Sequence, residues 1–295
     1  MLLKSSKNQS LFLVVTLFLF FLSAVTSEAT EVIIVGDTQL KPVVDIVSGI
    51  RKALGSPATV YAPSDVKGRL NDVVAEEGAR TVIALGKNAI DEALQLPPSI
   101  AVIFDLVIIP PKINRPNTTG FYMATPVREY INLINKYLPS LKRMSVVSSQ
   151  DLLRILAADQ SQVSVFRVNT SFEMVNTVMQ LNDADALLLL PDVSLLTATA
   201  IEEIYLFSFR RKIPILGFSD RHVKQGALLA LMFDPESVGY QLGGIALEAI
   251  HGKDVGTITP SPSRRFDLYI NRDTADKMGI TIPDELLERA KRVYP

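Results

Sequence analysis

Short apolar runs alternate with amphipathic, helix-like stretches along most of the chain. The earlier runs read "VIIVG", "ATVYA", "RTVIALG" and "SIAVIFD", and the later ones read "RMSVVSS", "SQVSVFRV", "ADALLLLP" and "KIPILGF". Because these runs lack the polar alternation of a half-exposed strand, they predict parallel strands that helices cover on both faces. Two sets of four strand–helix units therefore predict an α/β protein with two doubly wound, Rossmann-like lobes and a boundary near Thr125.

Helical periodicity fills the gaps between the predicted strands. In the first gap Val43, Val47 and Ile50 recur on one side of a helix. Predicted helices cover residues 41–54, 64–78, 87–96, 125–141, 152–159, 171–181 and 194–211. Short polar side chains are typical helix caps, so we expect Asp65 to cap the second of these helices and Ser194 to cap the last.

The stretch "GFSDRHVKQGALLALMFDP", residues 217–235, departs from this rhythm. Only ten residues separate the strand "IPIL" from the next apolar run, whereas a parallel crossover needs about a dozen or more. We therefore predict that residues 227–233 do not run beside the preceding strand but carry the chain back to the first lobe. Asp234 then caps a helix over 236–250, with Pro235 in its first turn and Gly239, Gly243 and Gly244 for close packing.

Three crossings between the lobes follow from this interpretation. They lie near Thr125, at 227–233 and at 268–271, and they predict a clamshell with a three-strand hinge. One lobe comprises residues 30–125 and about 234–267, and the other comprises 126–226 and about 272–295. A single larger sheet with an irregular edge is the alternative.

The first 29 residues have the composition of a secretory signal. Lys4 and Lys7 precede the apolar run "LFLVVTLFLFFL", and the small, polar "SAVTSEAT" follows it, with cleavage after Ser27 or Ala29. The alternative is a retained N-terminal anchor, although the run is shorter than the roughly 18 residues of a spanning helix. We therefore expect an exported, periplasmic protein.

Composition narrows the classes of function. A net charge of -1 over 295 residues offers no basic face for nucleic acid. With no cysteine and two histidines, the chain has little scope for a metal site. Dinucleotide-binding, phosphate-loop and Gly-x-Ser-x-Gly signatures are missing, so we expect neither a cofactor nor catalysis. An exported enzyme remains an alternative.

Two later stretches carry a family resemblance. The run "IPILGFSDRHVKQGALLALMFDPESVGYQLGGIALEAIHGK" and the ending "INRDTADKMGITIPDELLERA" resemble the solute-binding proteins of ABC importers, in the branch of tryptophan-type binding proteins. The segment "LLLLPDVS" matches the aspartate that ends a strand of the second lobe in that family. The resemblance implies a type I periplasmic-binding fold, a small solute, a permease partner and a final helix. We expect a monomer, and a sensor that signals to a receptor is the alternative.

Ligands of open α/β sheets bind beyond the carboxyl ends of the strands. Those ends supply the predicted ligand-binding residues, which are Asp37, Thr38, Gly86, Lys87, Asn88, Asp105, Ser148, Asp192, Ser219 and Asp234. For Asp192 and Lys87, ligand contact and a plain role at a helix start both remain open. Lys87, helix N-termini and Asp192 together offer anchors of both signs, which favours an amino acid or a similar amphoteric metabolite.

Overall fold

The computed structural model describes residues 31–155, 163–263 and 265–295. The predicted signal, residues 1–29, lies outside those residues, as does the end of the helix predicted at 152–159. Two parallel-dominated sheets organise the described chain, and helices cover both faces of each. The predicted α/β class with two doubly wound lobes is therefore confirmed, and the single-sheet alternative is wrong.

Six of the described strands form the first sheet, in the order β11-β5-β4-β3-β1-β2. They are β1 (Val32–Val35), β2 (Thr59–Tyr61), β3 (Thr81–Leu85), β4 (Ala101–Asp105), β5 (Thr118–Tyr122) and β11 (Ser261–Pro262). Every neighbouring pair is parallel. Strands β1, β3 and β4 are buried along their whole length, which explains their unbroken apolar sequences. The sequence analysis missed β5 and β11.

The second sheet takes the other seven described strands, in the order β13-β12-β10-β9-β8-β6-β7. They are β6 (Met144–Ser148), β7 (Val163–Arg167), β8 (Ala186–Leu188), β9 (Ile215–Gly217), β10 (Leu229–Phe233), β12 (Phe266–Asn271) and β13 (Ala290–Tyr294). Strand β12 runs antiparallel to β10, and the remaining pairs are parallel. The segment expected as a final helix ends in strand β13.

The run at 227–233 does pair with the strand before it, so that part of the prediction is wrong. Leu229 and Ala230 of β10 lie parallel to Leu216 and Gly217 of β9. A helix of only five residues, Asp220–Lys224, makes the crossover. The chain then turns at Gly226, whose φ of 114° is easily adopted only by glycine. A short helix and a glycine turn thus replace the longer connection that we required.

The helices mostly match the predicted positions and differ at their ends. They are α1 (Lys41–Leu54), α2 (Leu70–Glu77), α3 (Lys87–Ala93), α4 (Val127–Tyr137), α5 (Gln150–Ile155), α6 (Ser171–Met179), α7 (Ala198–Arg211), α8 (Asp220–Lys224), α9 (Pro235–Ile250), α10 (Arg272–Met278) and α11 (Asp284–Glu288). Helix α2 begins later than predicted because residues 63–69 form turns and a bend, with Gly68 at a φ of 70°. Asp65 therefore does not cap a helix.

The described chain passes between the two sheets three times, at residues 123–126, at Asp234 and between the end of β11 and the start of β12. The first two passages are tied together, since the Thr125 hydroxyl donates to the Leu231 carbonyl over 3.2 Å. Next to them the buried Tyr130 hydroxyl donates to the Gly217 carbonyl over 2.7 Å. These bonds fix the position of the start of α4 relative to β9 and β10. The residue bounds of the two lobes remain a prediction.

Helix α9 packs directly on the backbone of α1, and both cover one face of the first sheet. Asp234 caps α9 by accepting from the Ser237 amide over 3.2 Å, as predicted. A Cβ on Gly239 would lie 2.0 Å from the Ile46 carbonyl oxygen, and one on Gly243 would lie 2.6 Å from the Ala53 Cβ. Both glycines therefore permit close helix contact. Gly244 does not, because a Cβ there meets nothing within 4 Å.

This packing predicts opposite effects for two glycines of one helix. Gly239→Ala should lower the free energy of unfolding by about 1–3 kcal/mol, since the helices must move apart to admit the methyl group. Gly244→Ala, the matched control, should leave stability equal or raise it by up to about 1 kcal/mol through helix propensity. Urea unfolding measures both. Equal effects of the two substitutions would contradict the proposed packing role.

Candidate ligand-binding site

Each sheet has a point where the strand order reverses. In the first sheet β2 and β3 lie on opposite sides of β1, and in the second β7 and β8 lie on opposite sides of β6. Carboxyl ends of parallel strands that diverge at such a point leave a crevice, which is where open α/β sheets bind ligands. The candidate site therefore consists of the loops after β1, β3 and β4 in one lobe and after β6, β8 and β9 in the other.

Asp192 is the centre of a polar cluster at the reversal point of the second sheet. Its Oδ2 accepts from the Ser148 hydroxyl over 3.1 Å and from the Ser149 amide over 3.0 Å, and its Oδ1 accepts from the Ser194 hydroxyl over 2.7 Å. The residue is only 7% exposed. Burial by itself would raise the pKa of Asp192, but hydrogen bonds from the three serines outweigh it and lower the pKa. The cluster holds a fixed negative charge.

Ser194 has a different role from the one predicted. Helix α7 begins at Ala198 and is capped by Thr197, whose hydroxyl oxygen accepts from the Ala200 amide over 3.2 Å. Ser194 therefore donates to Asp192 and does not cap the helix. Its place two residues after an aspartate is a spacing at which short polar side chains form local bonds, and this signal was available in the sequence.

The cluster predicts that Asp192 contributes to the stability of the ligand-free protein. Asp192→Ala leaves the Ser148 hydroxyl and the Ser149 amide without their acceptor, which should cost about 1–3 kcal/mol of unfolding free energy. Ser194→Ala, the control, removes one donor and leaves two, so it should cost no more than about 1 kcal/mol. Urea unfolding without ligand compares them. An unchanged stability of Asp192→Ala would mean that the carboxylate is free for a ligand alone.

The first-lobe loops are built mainly by backbone geometry. Asp37 follows β1, and its Oδ1 accepts from the Gln39 amide over 3.0 Å within a turn, where Thr38 is exposed. Gly86 follows β3 at a φ of 90°, and its amide donates to the Asp105 carbonyl over 2.8 Å. A glycine at this φ lets the chain turn from β3 into α3 while it stays bonded to β4.

Lys87 and Asn88 are exposed at the start of α3. The Lys87 ammonium already pairs with Asp91, one turn along the helix, over 2.6 Å. Its side chain is 78% exposed, and an exposed ion pair contributes little free energy. Lys87 can therefore exchange Asp91 for a ligand anion at small cost, and its contact with a ligand stays a prediction.

Asp105 ends β4 in a wholly different environment. It is 2% exposed, and its Oδ2 has no hydrogen-bond partner among the described residues. Burial raises the pKa of Asp105 to about 7, against a smaller lowering by the Leu106 amide. Leu106 has a φ of 61°, a strained value for such a side chain. This carboxyl is buried in the described structure, and its contact with a ligand stays a prediction.

The buried carboxyl predicts a pH dependence of stability. The pKa of an unfolded aspartate is about 3.9, so between about pH 4 and pH 7 the folded chain binds the extra proton. The free energy of unfolding should therefore fall as pH rises through this window and level off above it. Asp105→Asn should remove that fall, whereas Asp72→Asn on exposed α2 should keep it. Denaturant unfolding at several pH values tests this, and an unchanged profile in Asp105→Asn contradicts it.

Ser219 and Asp234 both cap helices. The Ser219 hydroxyl oxygen accepts from the His222 amide over 3.2 Å at the start of α8. Asp234 Oδ2 caps α9, while its Oδ1 lies 3.7 Å from the Lys291 ammonium. Burial, aided by the charge of Arg221, lowers the pKa of His222 to about 4, so this imidazole is neutral at pH 7. A ligand contact at Ser219 or Asp234 remains a prediction.

The structure thus brings some predicted residues together. Ser148 and Asp192 are in contact, and Gly86 and Asp105 are joined by a backbone bond. The other predicted residues are distributed along the ends of separate strands. Within the described ranges no group of three or more His, Cys, Asp or Glu side chains could hold a metal ion. Those ranges also contain no helix long and apolar enough to cross a membrane.

Residues 45–294 match the family described as ABC transporter substrate binding protein. The chain belongs to this family. A tyrosine-binding protein of Clostridioides difficile (strain R20291) is 29% identical over 168 residues, which cover 54% of the chain and 48% of that relative. The match thus spans about half the length of the curated relative.

Solved structures share the fold across most of the chain. A ligand-free, open substrate-binding protein with adhesive properties from Clostridium difficile has a TM-score of 0.67 at 17% identity, covering 90% of this chain and 99% of that one. An ABC domain in complex with L-Trp from Streptococcus pneumonia has a TM-score of 0.56 at 20% identity, covering 89% and 99%. The predicted type I periplasmic-binding fold is confirmed.

Proposed function

We propose that this protein is the extracytoplasmic solute-binding component of an ABC importer. It captures a free amino acid, or a similar amphoteric metabolite, between its two lobes and delivers it to the permease. The observation that carries the proposal is the anionic Asp192 cluster at the strand-order reversal of the second sheet, within a chain of the ABC substrate-binding family.

The charged side chains in the strand-end loops of the two lobes support an amphoteric ligand. Asp192 is anionic, and three serine donors occupy only part of the acceptor capacity of its two oxygens. An ammonium group is the natural partner for the remaining lone pairs. Across the crevice Lys87 offers a cation whose present partner is exposed. An α-amino acid carries both complementary charges.

The relatives favour an aromatic amino acid. One is named for tyrosine binding and another was solved with L-Trp. Both relatives support an aromatic ligand by analogy of fold and sequence, so tyrosine and tryptophan are the first ligands to test.

Solute binding drives closure of the lobes. A ligand that contacts the strand-end loops of both lobes binds the closed state better than the open one. It raises the population of the closed state in proportion to that difference in affinity. Passages of the chain between the sheets are the segments that bend. The closed form then docks on the permease. The signal-like residues 1–29 support export to the periplasm.

A thermal-shift and calorimetry panel tests the proposal. L-tyrosine, L-tryptophan, other amino acids and sugars are added to the purified protein, and mass spectrometry identifies small molecules that it releases. We expect an aromatic amino acid to raise the melting temperature. The proposal fails if sugars stabilise the protein and every amino acid does not.

The site assignment is tested with two aspartates at opposite ends of one strand. Asp192→Asn should weaken amino-acid binding by about 30-fold or more, since loss of one member of a desolvated charge pair costs about 2–5 kcal/mol. Asp183→Asn is the control, because Asp183 precedes β8 and its side chain is 93% exposed. Equal affinities of the two variants would remove Asp192 from the site.

A further inference from the structure

A groove of about 560 Å³ lies beside the hinge, on the side of α4. We call it the hinge groove. Its charged lining residues are Glu129, Lys136, Asp234, Arg265, Asp267 and Arg289. Its volume is within the range of about 300–1,000 Å³ that small-molecule sites occupy. Of the predicted ligand residues only Asp234 lines it, so the groove is separate from the Asp192 cluster.

Cations from outside the hinge groove lie next to its acidic side chains. The Lys291 ammonium pairs with Asp267 over 2.5 Å and lies 3.7 Å from Asp234. The Arg128 guanidinium pairs with Glu129 over 3.3 Å. Each of the three lining carboxylates thus lies near a cation, and Asp234 and Asp267 share the single charge of Lys291.

Two of the lining cations are left without a carboxylate. Lys136 is paired with Glu285 over 3.0 Å. Among the residues that the structure describes, no carboxylate lies within ion-pair distance of Arg265 or Arg289. The hinge groove therefore presents two guanidinium groups that form no ion pair with a described residue, and Glu285 lies close enough to interact with the charge of Arg289.

Aromatic contacts hold one of these guanidiniums in position. Arg289 donates to the Tyr137 hydroxyl over 2.5 Å, and its guanidinium carbon lies 5.4 Å from the centre of that ring. The Lys136 ammonium lies 4.6 Å from the same ring, and Tyr137 donates in turn to Glu285 over 2.9 Å. Because the ring is fixed at both the face and the hydroxyl, the guanidinium it holds is already oriented before anything binds.

We propose that the hinge groove is a second binding site, which takes a small oxyanion bearing a carboxylate or phosphate group. A planar guanidinium donates two parallel hydrogen bonds to such a group, and Arg265 and Arg289 supply two of these forks. Phe266 and the Tyr137 ring provide apolar wall for the rest of the molecule. Asp234 and Arg265 stand where the chain passes between the sheets, so an occupant contacts the hinge itself.

Titration calorimetry with inorganic phosphate and with succinate tests this site. Sodium chloride keeps the ionic strength constant, and the two anions distinguish a phosphate from a carboxylate ligand. We expect saturable binding of at least one anion. The double variant Arg265→Gln, Arg289→Gln should bind it at least tenfold more weakly, while Arg80→Gln, an exposed arginine away from the groove, should bind it as the parent does.

Further measurements separate this site from folding and from the crevice. Arg289→Gln also loses the bond to Tyr137. The Arg265 side chain forms no hydrogen bond or ion pair with a described residue, so Arg265→Gln alone must weaken anion binding as well. Amino-acid binding in the double variant should equal that of the parent. The proposal is overturned if neither anion saturates, if Arg265→Gln binds like the parent, or if amino-acid binding falls together with anion binding.

Discussion

The contact between α1 and α9 is the constraint on which the two-lobe arrangement depends. The chain leaves the second sheet at the end of β10. Helix α9, which follows, must then pack on the first sheet for the chain to connect the two lobes. Gly239 allows this by letting the Ile46 carbonyl approach to a distance that any side chain would block. Apolar side chains of α9, such as Val238 and Leu242, fill the same core as β1 and β3. Helix α9 thus connects the second lobe to the first, although it is far along the chain from β1 and β3, against which it packs.

The hinge combines this apolar seat with a few polar ties. The hydroxyls of Thr125 and Tyr130 both donate to main-chain carbonyls of the second sheet. The passage at residues 123–126 is therefore held against β9 and β10. Buried hydroxyl bonds of this kind fix geometry at low strain and still allow the segments beyond them to bend. If the lobes close as proposed, the bending must occur away from Thr125 and Tyr130, in the other two passages of the chain between the sheets. The proposal therefore expects Asp234 and its neighbours to be among the residues that move.

Much of the fold could be predicted from the sequence because buried parallel strands need apolar side chains on both faces. Strand β3 is such a run, and it was recognised. Strand β5 was missed because "TTGFY" carries two threonines, and the Thr119 hydroxyl donates to the carbonyl of Ile258, far along the chain. Strand β13 follows a helical stretch and becomes a strand by pairing with β12. Such long-range partners leave no local pattern.

In the candidate site, the protonation state of a carboxyl group likewise cannot be predicted from the local sequence. Asp105 and Asp192 each follow an apolar strand, and sequence reasoning treated them alike. Three serine donors surround Asp192 and keep it ionised, whereas Asp105 has an unpartnered oxygen and a pKa of about 7. Residue type and position at the strand end therefore predict where a carboxyl lies but not its protonation. Donors supplied by neighbouring residues and by the end of β6 decide that, and they keep Asp192 an anion, as the proposed contact with a ligand ammonium requires.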